Sequence, residues 1–125
     1  MPQATVPATV LMVEDEVLIR QVVADFLCEH GFAVHEVADA DSALRYIDDG
    51  GAPDVLFTDI NLPGRMDGKE LAVKVRERCP ELPVVYTSGR YSQMGPDRLV
   101  PRSVFVAKPY DPDVVCVLLE RLIAT

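Results

Sequence analysis

Along the chain, short and nearly continuous apolar runs alternate with longer stretches in which apolar residues return every three or four positions. The runs Thr9–Val13, Phe32–Val37, Val55–Thr58, Val84–Tyr86 and Ser103–Val106 predict strands, mostly apolar enough to be buried on both faces of a parallel sheet. Between the first two runs, Ile19, Val22, Val23, Phe26 and Leu27 make one helical face, and Gly31 ends it. Ala40, Ala43, Leu44 and Ile47 repeat the stripe, with Asp39 as N-cap and Gly50-Gly51 as exit. Asp67 and Glu70 have capping-box spacing ahead of a helix carrying Leu71 and Val75 inward, closed by Pro80 and Pro83. Asp111-Pro112 opens the last helix, whose apolar face is Val115, Leu118, Leu119 and Leu122. Only Arg90–Arg102 resists the scheme, because Gly95, Pro96 and Pro101 leave room for no more than a short, irregular fourth helix. The pattern is α/β, a strand and a helix repeated five times. Residues 1–8, with two prolines, are expected to form a flexible tail, and 9–125 a single domain.

Composition agrees and narrows the function. A chain of 125 residues, 49% of them hydrophobic, supports one core and needs no disulfide or structural metal. With 20 acidic residues against 12 Lys and Arg, the net charge of −8 opposes nucleic acid phosphates and anionic membranes. The longest strongly apolar run, Val114–Leu119, is far short of the ~18 residues that suggest a membrane span. The first residues lack the basic and apolar pattern of a secretory signal, so a cytoplasmic protein is expected. Cys28, Cys79 and Cys116 have no CxxC spacing and read as buried or half-buried reduced thiols in helical segments.

In an open parallel sheet, chemistry gathers beyond the carboxyl ends of the strands. Those positions hold Glu14-Asp15, Asp59, Thr87-Ser88 and Lys108-Pro109: three carboxylates, a hydroxyl and an ammonium. Like charges about 4 Å apart repel by roughly 4 kcal/mol at an effective dielectric of 20, so the acids call for a cation or a proton. An oxygen-rich set built on Asp15 and Asp59 suits Mg²⁺, whereas zinc would favour His or Cys, and His30 and His35 fall elsewhere. Each residue also has a plainer reading. Glu16, Asp25, Asp41, Asp48 and Asp49 read as solvated surface acids, Lys108 as an ordinary strand-end lysine and Thr87 as a turn cap. Asp59 stands apart because it ends an apolar strand, where an unpaired carboxylate is costly.

From about Val10 to Leu122 the chain resembles the receiver domain of two-component response regulators. The fragments that carry the resemblance are Val10-Leu11-Met12-Val13-Glu14-Asp15-Glu16, Phe57-Thr58-Asp59-Ile60-Asn61-Leu62-Pro63, Asp67-Gly68, Thr87-Ser88-Gly89 and Val106-Ala107-Lys108-Pro109. Any one alone is weak; their order and placement at successive strand ends are specific. The resemblance implies a flavodoxin-like doubly wound sheet in the order 2-1-3-4-5. It implies that Asp59 is the phosphoacceptor for phosphohistidine on a sensor histidine kinase or histidine phosphotransfer protein. Asp15, Asp59 and the main-chain carbonyl of Asn61 would hold Mg²⁺, with Glu14 acting through water. Lys108 and Thr87 would bind phosphoryl oxygens, Pro109 would follow a cis peptide bond, and a Thr87 shift would be coupled to Phe105. The output would be an unknown downstream protein partner or phosphate relay, from a stand-alone receiver of the chemotaxis-regulator kind.

Three departures bear on that expectation. Glu14 stands where Asp is commoner, Gly64-Arg65 adds a residue to the loop after Pro63, and Arg90–Arg102 is irregular where dimerisation or output is commonly carried. Two other readings compete. One is a small Mg²⁺-dependent aspartyl phosphohydrolase, opposed by Asn61, which cannot do the acid/base work of a second Asp. The other is a phosphorylation-independent interaction module whose acids are structural remnants.

Overall fold

A computed structural model describes residues 6–89 and 99–124. Strands β1 (Thr9–Val13), β2 (Ala33–Val37), β3 (Val55–Asp59), β4 (Val84–Ser88) and β5 (Ser103–Ala107) form one sheet in the order β2-β1-β3-β4-β5. Every pairing is parallel. Helices α1 (Val17–Glu29), α2 (Ala40–Asp48), α3 (Gly68–Arg78) and α4 (Pro112–Ala124) cover the two faces. The expected order and fold class are therefore those observed. The irregular helix expected over Arg90–Arg102 falls mostly on residues outside the described ones, and the four that are described, 99–102, are not helical. Of the tail expected at 1–8, the first five residues also lie outside that range.

Alternation of side chains along each strand divides the core in two. On one face Leu11, Leu56, Val84 and Tyr86 pack with Ala43, Ile47, Leu71 and Val75 of α2 and α3. On the other, Val10, Met12, Phe57 and Val85 pack with Val23, Leu27, Val115 and Leu119 of α1 and α4. Strands β3 and β4 are buried at every residue, which explains their unbroken apolar runs. Edge strand β2 is largely exposed, contrary to the expectation of burial on both faces, because nothing pairs with its outer side among the described residues.

Local chemistry sets the helix ends. Ser42 N–H donates to the Asp39 side chain at 2.7 Å, capping α2. Asp67 and Glu70 close a reciprocal capping box on α3, and the Asp113 N–H donates to Asp111 at the start of α4. Three details differ from the sequence expectation. Val22, assigned to the inward stripe of α1, is exposed, because the buried arc of that helix takes only Val23, Ala24 and Leu27 fully. Cys28 is also exposed, on the outer side of the same helix, while Cys79 caps α3 and Cys116 is buried. Asp48, read as merely solvated, pairs with Arg78 at 2.6 Å and ties α2 to α3.

Candidate functional site

The carboxyl ends of β1, β3, β4 and β5 meet at one end of the sheet. Asp59 is the last residue of β3 and is only 5% exposed. The β3–β4 register sets it directly opposite Thr87. Its Oδ2 accepts from Lys108 Nζ at 2.9 Å and its Oδ1 from the Asn61 N–H at 3.1 Å. Glu14, just beyond β1, is equally buried; its Oε1 accepts from Lys108 Nζ at 2.8 Å and its Oε2 from the Glu16 N–H at 3.1 Å. Asp15 is exposed, yet one of its carboxylate oxygens lies within 4.8 Å of oxygens from both other acids.

Electrostatics explains this packing. Burial alone would lower the Lys108 pKa, but hydrogen bonds to Glu14 and Asp59, and their charges, raise it above the ordinary lysine value. The ammonium stays charged and neutralises part of the cluster. Burial raises the Glu14 pKa despite the hydrogen bond from Lys108. Glu14 and Asp59 share one half-buried cation, with Glu16 contributing only a remote oxygen at 4.0 Å from it. The donor set is all hard oxygen, without His or Cys, so the residues fit a divalent oxygen-seeking ion.

The neighbouring loops are laced to the same point. Ile60 N–H donates to the Thr87 carbonyl at 2.9 Å, and Lys108 N–H to the Ser88 carbonyl at 3.1 Å. Asn61 Nδ2 donates to Ser88 Oγ at 2.8 Å, joining the loop after β3 to the end of β4. Thr87 Oγ1 is buried and, among the described residues, has no hydrogen-bond partner. A buried hydroxyl left unsatisfied is costly unless function uses it. The Lys108–Pro109 peptide is cis, and Phe105 stands in mid-β5 opposite Tyr86, partly buried.

Thus Glu14, Asp15, Asp59, Asn61, Thr87 and Lys108 lie together at this end of the sheet, and Phe105 lies one register position from the partner of Thr87. Three supporting roles escape the sequence reading, which names Ser88 and Gly68 only inside motif fragments and Tyr110 not at all. Ser88 anchors the Asn61 side chain. Gly68 packs so closely on the Asp59–Ile60 backbone that a Cβ there would collide with the Asp59 carbonyl oxygen and approach Ile60 Cα to 2.8 Å. Its place beside Asp67 in the helix-opening pair was the available signal. Tyr110 packs edge-on against Phe57, ring centroids 5.8 Å apart, and burial pushes its phenol up to about 12.

Residues 10–120 match the response regulator receiver domain family. The chain belongs to that family. This receiver domain is 35% identical over 119 residues to the nitrogen assimilation regulatory protein NtrX of Azorhizobium caulinodans, covering 93% of this chain and 26% of that protein. It is 34% identical over 125 residues to the response regulator Rre1 of Synechocystis, covering 94% of this chain and 52% of that protein. The receiver domain therefore spans about a quarter to a half of the length of these two relatives. Among solved structures, a response regulator receiver protein from Sinorhizobium medicae superposes with a TM-score of 0.85 at 28% identity, covering 95% of this chain and 96% of that one. The receiver domain of NtrX from Brucella abortus gives 0.82 at 38% identity, with 93% and 98% covered. The receiver domain is a phosphoacceptor signalling module rather than a catalytic enzyme. Its acidic cluster is of the kind that binds a divalent ion, and its family implies a histidine kinase or phosphotransfer partner. Among the described residues, no helix is long and apolar enough to cross a membrane.

Proposed function

We propose that Asp59 accepts a phosphoryl group from phosphohistidine on a sensor histidine kinase or histidine phosphotransfer protein. One Asp59 carboxylate oxygen attacks phosphorus, the P–N bond breaks, and the imidazole leaves, taking up a proton. The observation that carries this reading is Asp59 itself: a buried carboxylate at a strand end, held by Lys108, beside two further acids and opposite an unpartnered hydroxyl. Asp15, Asp59 and the main-chain carbonyl of Asn61 would hold Mg²⁺, with Glu14 acting through water. Bound Mg²⁺ supplies positive charge that offsets the approach of an anionic phosphoryl group to three carboxylates. Lys108 then binds one phosphoryl oxygen and Thr87 a second. The Thr87 shift carries the change toward Phe105 and the surface beyond it. Hydrolysis of the aspartyl phosphate resets the protein.

The donor must reach Asp59 from outside, and an apolar groove of about 600 Å³ opens beside Lys108, lined by Leu18, Ile19, Val22, Val23, Tyr110 and Pro112. Such a groove suits an amphipathic helix of the donor protein. Residues 9–125 act as the receiver unit of a cytoplasmic signalling route, whose output is a protein contact or onward phosphate transfer. The phosphohydrolase reading is weaker because the Asn61 amide is bonded to Ser88 and offers no proton to a leaving group.

Intact-mass measurement after incubation with a small acyl phosphate, with and without Mg²⁺, tests the proposal. A single phosphoryl adduct that needs Mg²⁺ and is absent from Asp59→Asn is expected. An adduct of equal yield in the variant would place the acceptor elsewhere.

A further inference from the structure

Tyr86 precedes Thr87 on β4 and is the largest fully buried side chain of the described residues. Its hydroxyl accepts from the Val100 N–H at 3.2 Å. Leu99, Val100 and Phe105 pack against the cluster that contains its ring, and Phe105 lies opposite it in the β4–β5 register. One side chain therefore joins the residue before Thr87 to the approach to β5. The rest of that approach is held by contacts that do not involve Tyr86. The Val100 carbonyl accepts from Ser103 Oγ at 2.6 Å. The Arg102 carbonyl, at a residue with φ of 56°, accepts from Arg76 Nη2 at 3.2 Å, and the same guanidinium is anchored by its Nε on the Leu82 carbonyl at 2.6 Å.

We propose that the Tyr86–Val100 hydrogen bond is a latch, which holds the approach to β5 in the unphosphorylated state and opens when Thr87 shifts toward a phosphoryl group on Asp59. The proposal rests on the phosphoacceptor reading and names a route by which that site reaches the surface. Thr87 gains a partner for its buried hydroxyl only when the phosphoryl group is present, so the two states differ in energy at this residue, as a switch requires. Tyr86 and Thr87 share a peptide unit, and a shift of one moves the other. At 3.2 Å the latch is at the long end of the N–H···O range, so a small displacement breaks it. The Ser103 and Arg76 contacts keep the far side of the Val100 stretch in place meanwhile. Phe105, in the same cluster, gains room to move as the latch opens. Tyr86 is thus a positioning residue that acts through Val100.

Amide hydrogen exchange at Val100, followed by NMR on the full chain, reads the latch directly. Beryllofluoride with Mg²⁺ serves as the phosphoryl mimic, and intact mass after acyl phosphate treatment reports acceptance separately. In the parent chain, Val100 exchange should rise about two- to tenfold on beryllofluoride binding, the range set by loss of one net hydrogen bond. In Tyr86→Phe it should be fast in both states, with phosphoryl uptake unchanged. Parent protein that takes up phosphoryl yet leaves Val100 exchange unaltered overturns the latch alone. So does a Tyr86→Phe variant with the full state-dependent change. Failure of the parent to form any adduct overturns the acceptor reading and the latch together.

Discussion

Lys108 is the residue on which the site's charge balance turns. Its single ammonium serves Glu14 and Asp59 at 2.8 and 2.9 Å, so a metal ion and this side chain draw on the same carboxylates. Removing it by Lys108→Ala leaves two buried acids without their cation. The metal-free variant should lose about 3 kcal/mol of stability, as when one partner of a buried ion pair is deleted. Mg²⁺ should restore part of that loss and bind about tenfold more tightly than to the parent, close to 1.4 kcal/mol. Phosphoryl uptake should nevertheless slow, since Lys108 no longer meets the transferred group. Denaturant unfolding with and without Mg²⁺, calorimetric titration and the rate of adduct formation check the three parts; unchanged Mg²⁺ affinity would contradict the competition. Residues of this kind were legible in the sequence because charge is conspicuous after an apolar run, as with Asp59 after Val55–Thr58. The Asn61–Ser88 and Tyr86–Val100 bonds were not, because each depends on how distant segments come together in space, and Tyr86 in its run reads only as core.

At the scale of elements, two helix starts make the folding logic testable. The Ser42 N–H bond to Asp39 lowers the Asp39 pKa below its ordinary 3.8. A lowered folded-state pKa means the charged cap adds stability above that ordinary value, and the addition is lost as pH falls through the folded-state value. Asp39→Ala should therefore cost about 1 kcal/mol at pH 7, and the gap should narrow in acid. Asp39→Asn, which keeps a capping oxygen, should lose little. Thermal unfolding at pH 7 and pH 3 measures both variants. At the start of α3 the constraint is space. Gly68→Ala forces a Cβ into the Asp59–Ile60 backbone, so it should destabilise by about 3 kcal/mol and slow phosphoryl uptake as well. A variant of parental stability and uptake would show that the loop yields without moving Asp59. The caps and the five strands could be read from the chain because each is local. The exposure of Val22 and of β2 could not, because burial on a helix flank or at a sheet edge depends on which neighbour is present.

For the whole molecule, the question is what separates chemistry from recognition. Asp59 and its partners lie within one end of the sheet, whereas the groove beside them is formed by the first turns of α1, from Leu18 to Val23, and the stretch from Lys108 to Pro112. Leu18 is 77% exposed and belongs to neither core cluster, so its side chain adds little to folding. An exposed leucine at the rim of an apolar groove beside the phosphoacceptor is more informative, since a donor helix would bury it. Leu18→Glu should leave stability within about 0.5 kcal/mol of the parent. It should also leave the rate of phosphorylation by a small acyl phosphate unchanged, because that donor needs only Asp59 and its neighbours. Transfer from a purified phosphorylated histidine phosphotransfer protein should instead fall by tenfold or more, because docking now buries a carboxylate at about 1.4 kcal/mol or greater cost. The net charge of −8 adds to the effect if the donor surface is acidic, which raising the salt concentration would relieve. Equal loss with both donors would trace the defect to the site and remove the groove from the docking surface. Loss with the protein donor alone would show that the receiver recognises its partner through α1 while the strand ends carry out the transfer.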